Sequence, residues 1–302
     1  MALPFLSAVS ALRAAGEPSR LRLLALLVRA ELTVGELCEI LDQSQPRVSR
    51  HLKVLASAGL LVRFREEHWV YHRVPASGEA SAIVEQLLSL ANAEDSVFVR
   101  DRQRMERVIA ERARRATNEV GGANAALPEE IAAIVLREFA DVPVGVLLDV
   151  GTGSGHLLEL LAPHATRAVG IDISTDALRL ARTNVHGAGL RHCELHKGSM
   201  YDLPFAEATF DTVTVDRMLA TAERPLAALA EIARAVRSGG RLVVIEDFDQ
   251  LQDSAGGNPI KTVREWMTAN GFTCRRIHPI DTGSAHLIVA LGERGDRAVA
   301  AA

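Results

Sequence analysis

A short apolar run that leads directly into closely spaced glycines constrains this chain more than any other feature. Residues 146–155 are Val-Leu-Leu-Asp-Val-Gly-Thr-Gly-Ser-Gly, and an apolar helical pattern follows at once. Such a run is typical of a buried parallel strand, and the glycines let the backbone approach a ligand without a Cβ clash. A second apolar run ends at Asp172, 17 residues beyond Gly155. A carboxylate there can accept hydrogen bonds from both hydroxyls of a ribose, so the pattern predicts a Rossmann-like α/β domain with a nucleoside site.

The spacing of these glycines separates two classes of nucleotide-binding loop. A G-x-G-x-x-G loop counted from Gly151 would place its third glycine at position 156, where His156 stands. The G-x-G-x-G spacing preceded by Asp149 instead resembles motif I of the class I S-adenosylmethionine-dependent methyltransferases. Segments 198–205, 210–216, 229–236 and 238–244 match the later motifs of that family in order, so the resemblance runs from about residue 126 to residue 292.

This resemblance implies binding of S-adenosylmethionine or S-adenosylhomocysteine and gives each site residue a role. The glycine loop would cradle the methionine part, Asp172 would hold the ribose, and Asp216 would face the ammonium end. Ile173 and Met200 would sandwich the adenine, with the Met200 N–H and the Ser199 side chain at its polar edge. Many relatives carry an acid where Ser199 stands, which implies a weaker contact here, and Asp149 could equally serve only to fix the loop. The expected cofactor-binding residues are Asp149, Gly151, Thr152, Gly153, Ser154, Gly155, Asp172, Ile173, Ser199, Met200 and Asp216.

The first 75 residues carry a different pattern, in which three helices precede a hairpin. Leucines at helical spacing predict a helix over residues 18–28. Thr33 and Glu36 form a capping-box sequence at the start of a second helix, and Ser44 can cap a third helix over residues 45–58. Segments 60–65 and 69–74 then bracket a turn, which predicts a β-hairpin. The order is that of a winged helix-turn-helix.

The third helix and the hairpin carry donor side chains suited to base edges and phosphates. Val48, Leu52 and Leu55 bury one helix face and leave polar side chains on the outer faces, while arginines alternate with apolar residues along the hairpin. Residues 1–75 hold ten Lys or Arg against seven Asp or Glu, which permits nucleic-acid binding, although a solvated face is the alternative. The expected DNA-binding residues are Ser44, Gln45, Arg47, Ser49, Arg50, His51, Lys53, Arg63, Arg65 and Arg73.

The stretch 16–74 resembles the ArsR/SmtB family of winged-helix repressors, most closely at residues 50–55 (Arg-His-Leu-Lys-Val-Leu) and 59–61 (Gly-Leu-Leu). The resemblance implies double-stranded operator DNA as a partner and a homodimer formed by the first helix, about residues 3–15, and the helix after the wing. The family's Cys-x-Cys metal pair is incomplete, because Ile40 stands two positions after Cys38. One thiolate cannot make a three-coordinate sulfur site, so we expect no metal and interpret Cys38 as a small, buried residue.

The organisation of the whole chain follows from these segments. Residues 79–120 contain neither Gly nor Pro, which predicts one or two long helices that either transmit a signal or form a solvated linker. No apolar run approaches the ~20 residues of a bilayer helix and no signal-peptide pattern opens the chain, so we expect a cytoplasmic protein. The predicted fold is a two-domain α/β chain with a winged helix-turn-helix (1–78), a helical linker or dimerisation segment (79–122), a Rossmann-like class I methyltransferase fold (123–295) and a flexible tail (296–302).

Cofactor binding is better supported by the sequence than turnover. Methyl transfer requires orientation, desolvation and sometimes a base, and the candidates after the strands are Asp216, Arg217, Glu246, Asp247 and Asp249, each of which could equally be a solvated loop residue. Chains that join these two domains often carry aromatic residues before motif I, whereas this chain has no Trp or Tyr between Tyr71 and Tyr201. Cys193 and Cys274 fall in predicted core strands, which disfavours an arsenic methyltransferase.

Three functional hypotheses remain. The first is a regulator whose DNA affinity responds to an S-adenosyl ligand, for control of methionine or methyl-cycle genes. The second is an active methyltransferase on a small molecule, with the winged helix regulating its own operon. The third is a winged helix that acts as a protein-interaction module.

Overall fold

A computed structural model of the protein describes residues 5–66, 69–75, 78–120, 127–190, 192–283 and 285–295. The chain folds into two compact units. One comprises Met1–Glu119 with Arg182–His192, and the other comprises Val120–Ala181 with Cys193–Ala302. Among the described helices, none combines the length and the apolar character that a bilayer crossing requires.

The N-terminal helices form as their apolar spacing predicts. The centre of their shared core consists of fully buried side chains, among them Leu23, Leu24, Ile40 and Leu55. Burial of the apolar faces of these helices supplies the main driving force for their packing. The helices are α1 (Phe5–Ala15), α2 (Pro18–Leu27), α3 (Val34–Leu41) and α4 (Gln45–Ser57).

The two expected helix caps have different outcomes. The Thr33 hydroxyl accepts a hydrogen bond from the Glu36 N–H at 3.3 Å, and the Glu36 carboxylate accepts one from the Thr33 N–H at 2.7 Å, so the capping box is confirmed. Ser44 occupies the N-cap of α4, but its side chain makes no capping hydrogen bond, so that expectation is wrong. The reason is local: Pro46 supplies no N–H at the second helical position, and the Arg47 N–H donates to the Ser44 carbonyl at 3.0 Å.

The wing is a three-stranded antiparallel sheet rather than a hairpin alone. Strands β2 (Val62–Glu66) and β3 (Trp69–Arg73) pair as expected, and a two-residue strand β1 (Leu32–Thr33) pairs with the other edge of β3. The sheet order is β1-β3-β2. Two residues are too few to show an alternating pattern, so the sequence gives no signal for β1.

Two helices follow the wing, α5 (Glu79–Ser89) and α6 (Ser96–Val120), which confirms the expectation for this glycine-free stretch. Met105, Val108 and Ile109 of α6 are buried in the core of the first unit. Arg22 of α2 pairs with Asp101 at 2.6 Å, and Arg112 pairs with Glu36 of α3 at 2.8 Å. The part of α6 up to residue 112 is therefore fastened to α2 and α3 by apolar and ionic contacts.

The second unit is built on a mixed seven-stranded sheet in the order β6-β5-β4-β7-β8-β10-β9. The neighbours from β6 to β8 are parallel, and β10 runs antiparallel to both β8 and β9. The chain moves outward from β4 in both directions, so a crevice opens beyond its carboxyl end, where ligands of such sheets bind. The strands are β4 (Gly145–Val150), β5 (Ala165–Asp172), β6 (Cys193–Lys197), β7 (Phe210–Asp216), β8 (Val236–Asp247), β9 (Phe272–Asp281) and β10 (His286–Arg294).

Helices cover this sheet, and side chains such as Leu148, Val213, Ile232 and Val244 are fully buried between the layers. The expected antiparallel strand near residue 286 is confirmed as β10. Cys193 is buried as expected, but Cys274 is only half-buried because β9 lies at the edge of the sheet, so its placement in a core strand is wrong. The helices along this part of the chain are α7 (Glu129–Glu138), α8 (His156–Leu161), α9 (Thr175–Gly187), α10 (Pro225–Ala235), α11 (Phe248–Ala255) and α12 (Pro259–Ala269).

Candidate functional site

The glycine loop between β4 and α8 adopts conformations that only glycine tolerates well. Gly151, Gly153 and Gly155 have φ angles of +70°, +53° and +85°. The Gly151 N–H donates to the Ile171 carbonyl at 2.7 Å, which ties the loop to β5. A Cβ at Gly151 would overlap the sulfur of Met218, so the loop also packs directly on the segment that follows β7. The loop is therefore held from both sides at the carboxyl end of the sheet.

Asp172 at the end of β5 faces this loop. Its Oδ2 accepts a hydrogen bond from the Gly153 N–H at 2.9 Å, and its Oδ1 accepts one from the Ser174 N–H at 2.8 Å. Each carboxylate oxygen retains a further lone pair. Asp172 can therefore accept from ribose hydroxyls while it holds the glycine loop.

Asp149 lies underneath the loop and is only 2% exposed. The hydroxyls of Thr152 and Thr214 each donate to one of its carboxylate oxygens at 2.6 Å. Burial raises the pKa of Asp149 to about 6, helped by the nearby charges of Asp216 and Asp172 and opposed by the two hydroxyls. Both oxygens of Asp149 are thus occupied by the loop and by β7, which supports a loop-fixing role.

Asp216 at the end of β7 already holds a cation. Arg217 donates two hydrogen bonds to it, from Nε and from Nη2, each at 2.9 Å. This interaction raises the pKa of Arg217. The Arg217 backbone lies in the left-handed region with φ +51°, and its N–H donates to the Ile245 carbonyl at 2.7 Å. A ligand ammonium group would therefore share the Asp216 carboxylate with a guanidinium.

These groups surround a cleft of about 500 Å³. Seven of the expected residues line it: Asp149, Gly151, Thr152, Gly153, Ser154, Asp172 and Asp216. Eight further residues line it that the expected cofactor-binding set did not include, and of these only Arg217 was among the candidate catalytic residues: Ser174, Ala177, His156, Leu157, Arg217, Met218, Thr221 and Gln250. Several of these follow β7 or lie on α11, where no spacing motif marks them in the sequence.

Four expected residues lie away from the lining of this cleft. Gly155 occupies the N-cap of α8, and Ile173 exposes 71% of its surface beside Asp172. Met200 packs against the sheet core, and the Ser199 hydroxyl accepts a hydrogen bond from the Tyr201 N–H at 3.2 Å. The exposed Ile173 side chain can contact one face of an adenine ring, whereas the Ser199 hydroxyl already accepts a hydrogen bond within its own turn.

The candidate bases at the end of β8 each have a local partner. Glu246 is fully buried and accepts from backbone N–H groups, and burial raises its pKa to about 7. Asp247 accepts from the Gln250 N–H at 2.9 Å and caps α11. Asp249 lies 3.3 Å from His286. None of these contacts requires a reacting substrate, so each has a structural explanation.

In the first unit, eight of the ten expected DNA-binding residues expose their side chains along α4 and the wing, while Val48, Leu52 and Leu55 are buried as expected. His51 is buried, 3.6 Å from Glu17, so its placement on an outer face is wrong. Arg73 is turned toward Glu31 at 3.6 Å and lies over the Phe64 ring. The exposed residues are Ser44, Gln45, Arg47, Ser49, Arg50, Lys53, Arg63 and Arg65.

Two family models match separate parts of the chain. Residues 17–62 match the bacterial regulatory protein, arsR family, and residues 148–244 match the methyltransferase domain. The first range contains α2 to α4 and the start of β2. The second contains the glycine loop, Asp172, Asp216 and most of β8.

Curated relatives match one part or the other. An arsenical resistance operon repressor of Escherichia coli is 38% identical over 73 residues, which cover 24% of this chain and 62% of the relative. A phosphatidylethanolamine N-methyltransferase of Cereibacter sphaeroides is 35% identical over 105 residues, which cover 34% of this chain and 51% of the relative. A demethylmenaquinone methyltransferase of Thermobifida fusca is 34% identical over 101 residues, or 33% and 43% of the two chains. The matches thus span about half the length of these relatives.

Two solved structures align with part of the chain. The YcgJ protein of Bacillus subtilis aligns with a TM-score of 0.48 at 14% identity, covering 56% of this chain and 100% of that one. A SAM-dependent methyltransferase from Aquifex aeolicus gives 0.48 at 20% identity, covering 60% and 97%. On the two family models and the sheet order, the chain joins an ArsR-family helix-turn-helix domain to a class I methyltransferase domain with a Rossmann-like fold.

Proposed function

We propose that the protein is a homodimeric, cytoplasmic repressor whose affinity for operator DNA changes when its methyltransferase domain binds S-adenosylmethionine or S-adenosylhomocysteine. Its target genes would be those of methionine or methyl-group metabolism. The observation that carries the proposal is the coexistence in one chain of an exposed basic recognition helix and a cleft built on the glycine loop and Asp172. The proposed parts of the chain are the DNA-binding domain (1–78), the linker or dimerisation segment (79–122), the ligand-binding domain (123–295) and the tail (296–302).

The cleft fits an S-adenosyl ligand in size and in chemistry. Its volume of about 500 Å³ falls within the usual range of small-molecule sites. Gly151 and Gly153 leave the loop backbone open to the ligand, and Asp172 offers lone pairs to a ribose. Ile173 supplies an exposed apolar surface next to Asp172, as stacking on an adenine requires. The adenine edge lacks an acid at Ser199, so we expect the ribose and methionine contacts to supply most of the affinity.

The first unit fits double-stranded DNA. Arg50 and Lys53 project from α4, and Arg63 and Arg65 project from β2, so the helix can enter a major groove while the wing follows a phosphate backbone. Ser49, Lys53 and Arg63 line one open cleft between the helix and the wing.

A second copy would double this DNA-binding surface. Phe5 and Leu12 of α1 expose 79% and 58% of their surfaces, and Leu90 at the end of α5 exposes 83%. Phe5 and Leu12 are seven residues apart and therefore lie on one helix face. Exposed apolar side chains grouped in this way are typical of an interface, and they lie in the two segments where the family resemblance implies dimer contacts.

Ligand binding can alter DNA affinity only if the ligand prefers one arrangement of the protein over another. We propose α6 as the transmitting element. Asp101 and Arg112 fasten it to α2 and α3, which share a core with the recognition helix α4, and its last residue, Val120, is the first residue of the second unit. A displacement of α6 would therefore act on α2 and α3 through these ion pairs, and on α4 through the apolar core that the helices share.

The test is a fluorescence-anisotropy titration of the protein onto DNA from upstream of its own gene, at fixed salt. The titration is made without ligand, with saturating S-adenosylmethionine and with saturating S-adenosylhomocysteine. We expect at least one ligand to shift DNA affinity by about tenfold, equivalent to about 1.4 kcal/mol. Affinities that agree in all three conditions would contradict the sensor role, and absence of binding would contradict the regulator role.

A second candidate function is methyl transfer to a small molecule, since the relatives that match the second unit are named as methyltransferases. Incubation of the protein with labelled S-adenosylmethionine and a cell extract tests it. Transfer of label that is lost in Asp172→Ala would favour catalysis. An extract that remains unlabelled, together with a DNA response to ligand, favours the sensor.

A further inference from the structure

Glu246 is a fully buried carboxylate that binds three consecutive backbone N–H groups. Its Oε1 accepts from Met218 at 3.1 Å and from Leu219 at 2.6 Å, and its Oε2 accepts from Ala220 at 3.3 Å. Hydrogen bonds to an ionised acceptor are stronger than those between neutral groups. Without this carboxylate, three N–H groups next to a buried layer would lose their acceptor, which is costly.

The segment that Glu246 holds, residues 217–221, forms one wall of the cleft. Arg217, Met218 and Thr221 line it, and the Met218 sulfur fills the space beside Gly151. Arg217 also fixes the carboxylate of Asp216. The position of the Glu246 carboxylate therefore sets the position of this wall relative to the glycine loop, although Glu246 itself is not among the residues that line the cleft.

We propose that Glu246 is a positioning residue for the S-adenosyl site: its ionised carboxylate holds residues 217–221 against the glycine loop, and ligand affinity falls when this carboxylate is protonated. The inference rests on the proposed function, because it concerns the same cleft. It assigns to Glu246 a role in affinity rather than in proton transfer from a methyl acceptor.

The electrostatic surroundings of Glu246 bring this change close to neutral pH. Burial raises its pKa to about 7, the three N–H donors lower it, and the charge of Asp216 raises it further. Arg217, which pairs with Asp216, is a further charged group that interacts with Glu246. A neutral carboxyl group accepts less strongly than a carboxylate and must place its own proton, so the protonated form cannot keep all three bonds at full strength. Affinity should therefore be high above pH 7 and should fall as the pH decreases through 7.

The size of this effect follows from single-proton linkage. If only the ionised form binds and its pKa is about 7, affinity for S-adenosylhomocysteine rises roughly fourfold between pH 6.5 and pH 8.0. Asp149, with a pKa of about 6, titrates mainly below this window. The α-ammonium group of the ligand remains charged throughout.

The experiment is isothermal titration calorimetry of the full chain with S-adenosylhomocysteine at pH 6.5, 7.0, 7.5 and 8.0. We expect the fourfold rise in the unmodified protein. In Glu246→Gln, whose amide group offers one acceptor oxygen and turns an NH₂ toward the loop donors, we expect affinity about tenfold lower at pH 8.0 and the same at all four pH values. The matched control is Glu265→Gln on the exposed face of α12, which should retain both the affinity and the pH profile.

A second ligand keeps the test informative if Glu246→Gln does not fold. 5′-Methylthioadenosine lacks the amino-acid part of the ligand, which Asp216 is expected to face, so its affinity for the unmodified protein should be independent of pH in this window. The role of Glu246 would be overturned if the affinity of the unmodified protein for S-adenosylhomocysteine did not change with pH, or if Glu246→Gln kept the unmodified affinity at pH 8.0. Failure of the unmodified protein to bind S-adenosylhomocysteine at pH 8.0 would instead overturn the proposed function.

Discussion

At the scale of single residues, buried carboxylates organise the loops of the second unit. Asp149 and Glu246 are both almost inaccessible to water, and each is surrounded by donors from a neighbouring strand or loop. An acid in such a position costs free energy to ionise, which is why burial raises the pKa of each. The stability and the ligand affinity of this unit should therefore depend on the donors as well as on the acids.

The Thr214 hydroxyl provides a direct test for Asp149. The pKa of Asp149 in the folded protein is about 6, above the ordinary value of 3.8, so ionisation of Asp149 opposes folding. The stability that the protonated form of Asp149 contributes is therefore lost as the pH rises through 6. Thr214→Val removes one donor to the ionised form. We expect it to lower the free energy of unfolding by about 1–3 kcal/mol at pH 8 and by less at pH 5. Urea denaturation at both pH values measures this.

The matched control for Thr214→Val is Thr268→Val on the exposed face of α12, where the hydroxyl donates to the Arg264 carbonyl. It should lower stability by a smaller amount that does not depend on pH. A loss in Thr214→Val that is equal at pH 5 and pH 8 would contradict the role of the hydroxyl as a donor to an ionised Asp149.

Asp172 should contribute directly to ligand affinity. Asp172→Ala removes the acceptor of the Gly153 and Ser174 N–H groups as well as the proposed ribose contact. Hydrogen bonds to charged groups contribute about 1.5–3 kcal/mol, so we expect affinity for S-adenosylhomocysteine to fall by roughly 10- to 100-fold. Calorimetry measures the change, and Asp176→Ala on α9, outside the cleft lining, is the control that should retain affinity. Unchanged binding in Asp172→Ala would place the ligand elsewhere.

Cleft residues that belong to one motif could be predicted from the sequence, whereas those outside the motifs mostly could not. Asp172 was identified because its distance from the glycine loop is fixed by one strand-helix-strand unit. Met218 reaches the cleft through contacts between non-consecutive strands, for which the sequence carries no spacing signal. His51 and Arg73 were assigned to outer faces from the periodicity of their own elements, which contains no information about the carboxylates of Glu17 and Glu31.

At the scale of secondary-structure elements, apolar spacing predicted most helices and the buried parallel strands, because burial of one face or of a whole strand leaves a direct record in the sequence. One edge strand of each sheet was harder to predict. β1 has only two residues, and β9, after the buried Phe272, has only half-buried and exposed positions in an irregular order. Pairing at an edge depends on the neighbouring strand more than on the pattern of the strand itself.

The two caps in the first unit form a natural pair for a stability test. Thr33→Ala removes a hydroxyl that accepts from the Glu36 N–H, and we expect a loss of about 1 kcal/mol in unfolding free energy. Ser44→Ala should cost less than half of that, because the Ser44 side chain makes no capping bond. Chemical denaturation followed by circular dichroism compares the two variants. Equal losses would contradict the difference between the caps.

The recognition helix α4 should contribute to DNA binding through phosphate or base contacts. Arg50→Ala combined with Lys53→Ala should weaken DNA binding and reduce the slope of log affinity against log salt by about 1 for each lost phosphate contact. Fluorescence anisotropy at several salt concentrations measures the slope. The control is Lys261→Ala with Arg264→Ala on α12, which removes the same charge from the second unit. Identical slopes in both double variants would favour a protein-interaction role for the winged helix.

At the scale of the whole molecule, the proposed function requires two copies of the chain and communication between the ligand site and the DNA-binding surface. Leu12→Glu places a charge on the exposed apolar face of α1, where Leu12 exposes 58% of its surface. We expect it to convert a dimer into a monomer in sedimentation analysis and to weaken DNA binding at least tenfold. A dimer that persists in Leu12→Glu would contradict the proposed interface.

Binding of an S-adenosyl ligand and binding of DNA should be energetically coupled, and the reciprocal measurement tests this coupling without a variant. Affinity for S-adenosylhomocysteine is measured by calorimetry on the free protein and on the protein saturated with its DNA, at the same salt and pH. Coupling requires the ligand affinity to change by the same factor, about tenfold, by which the ligand changes DNA affinity. Equal ligand affinity in the free and DNA-bound protein would show that the two sites are not coupled.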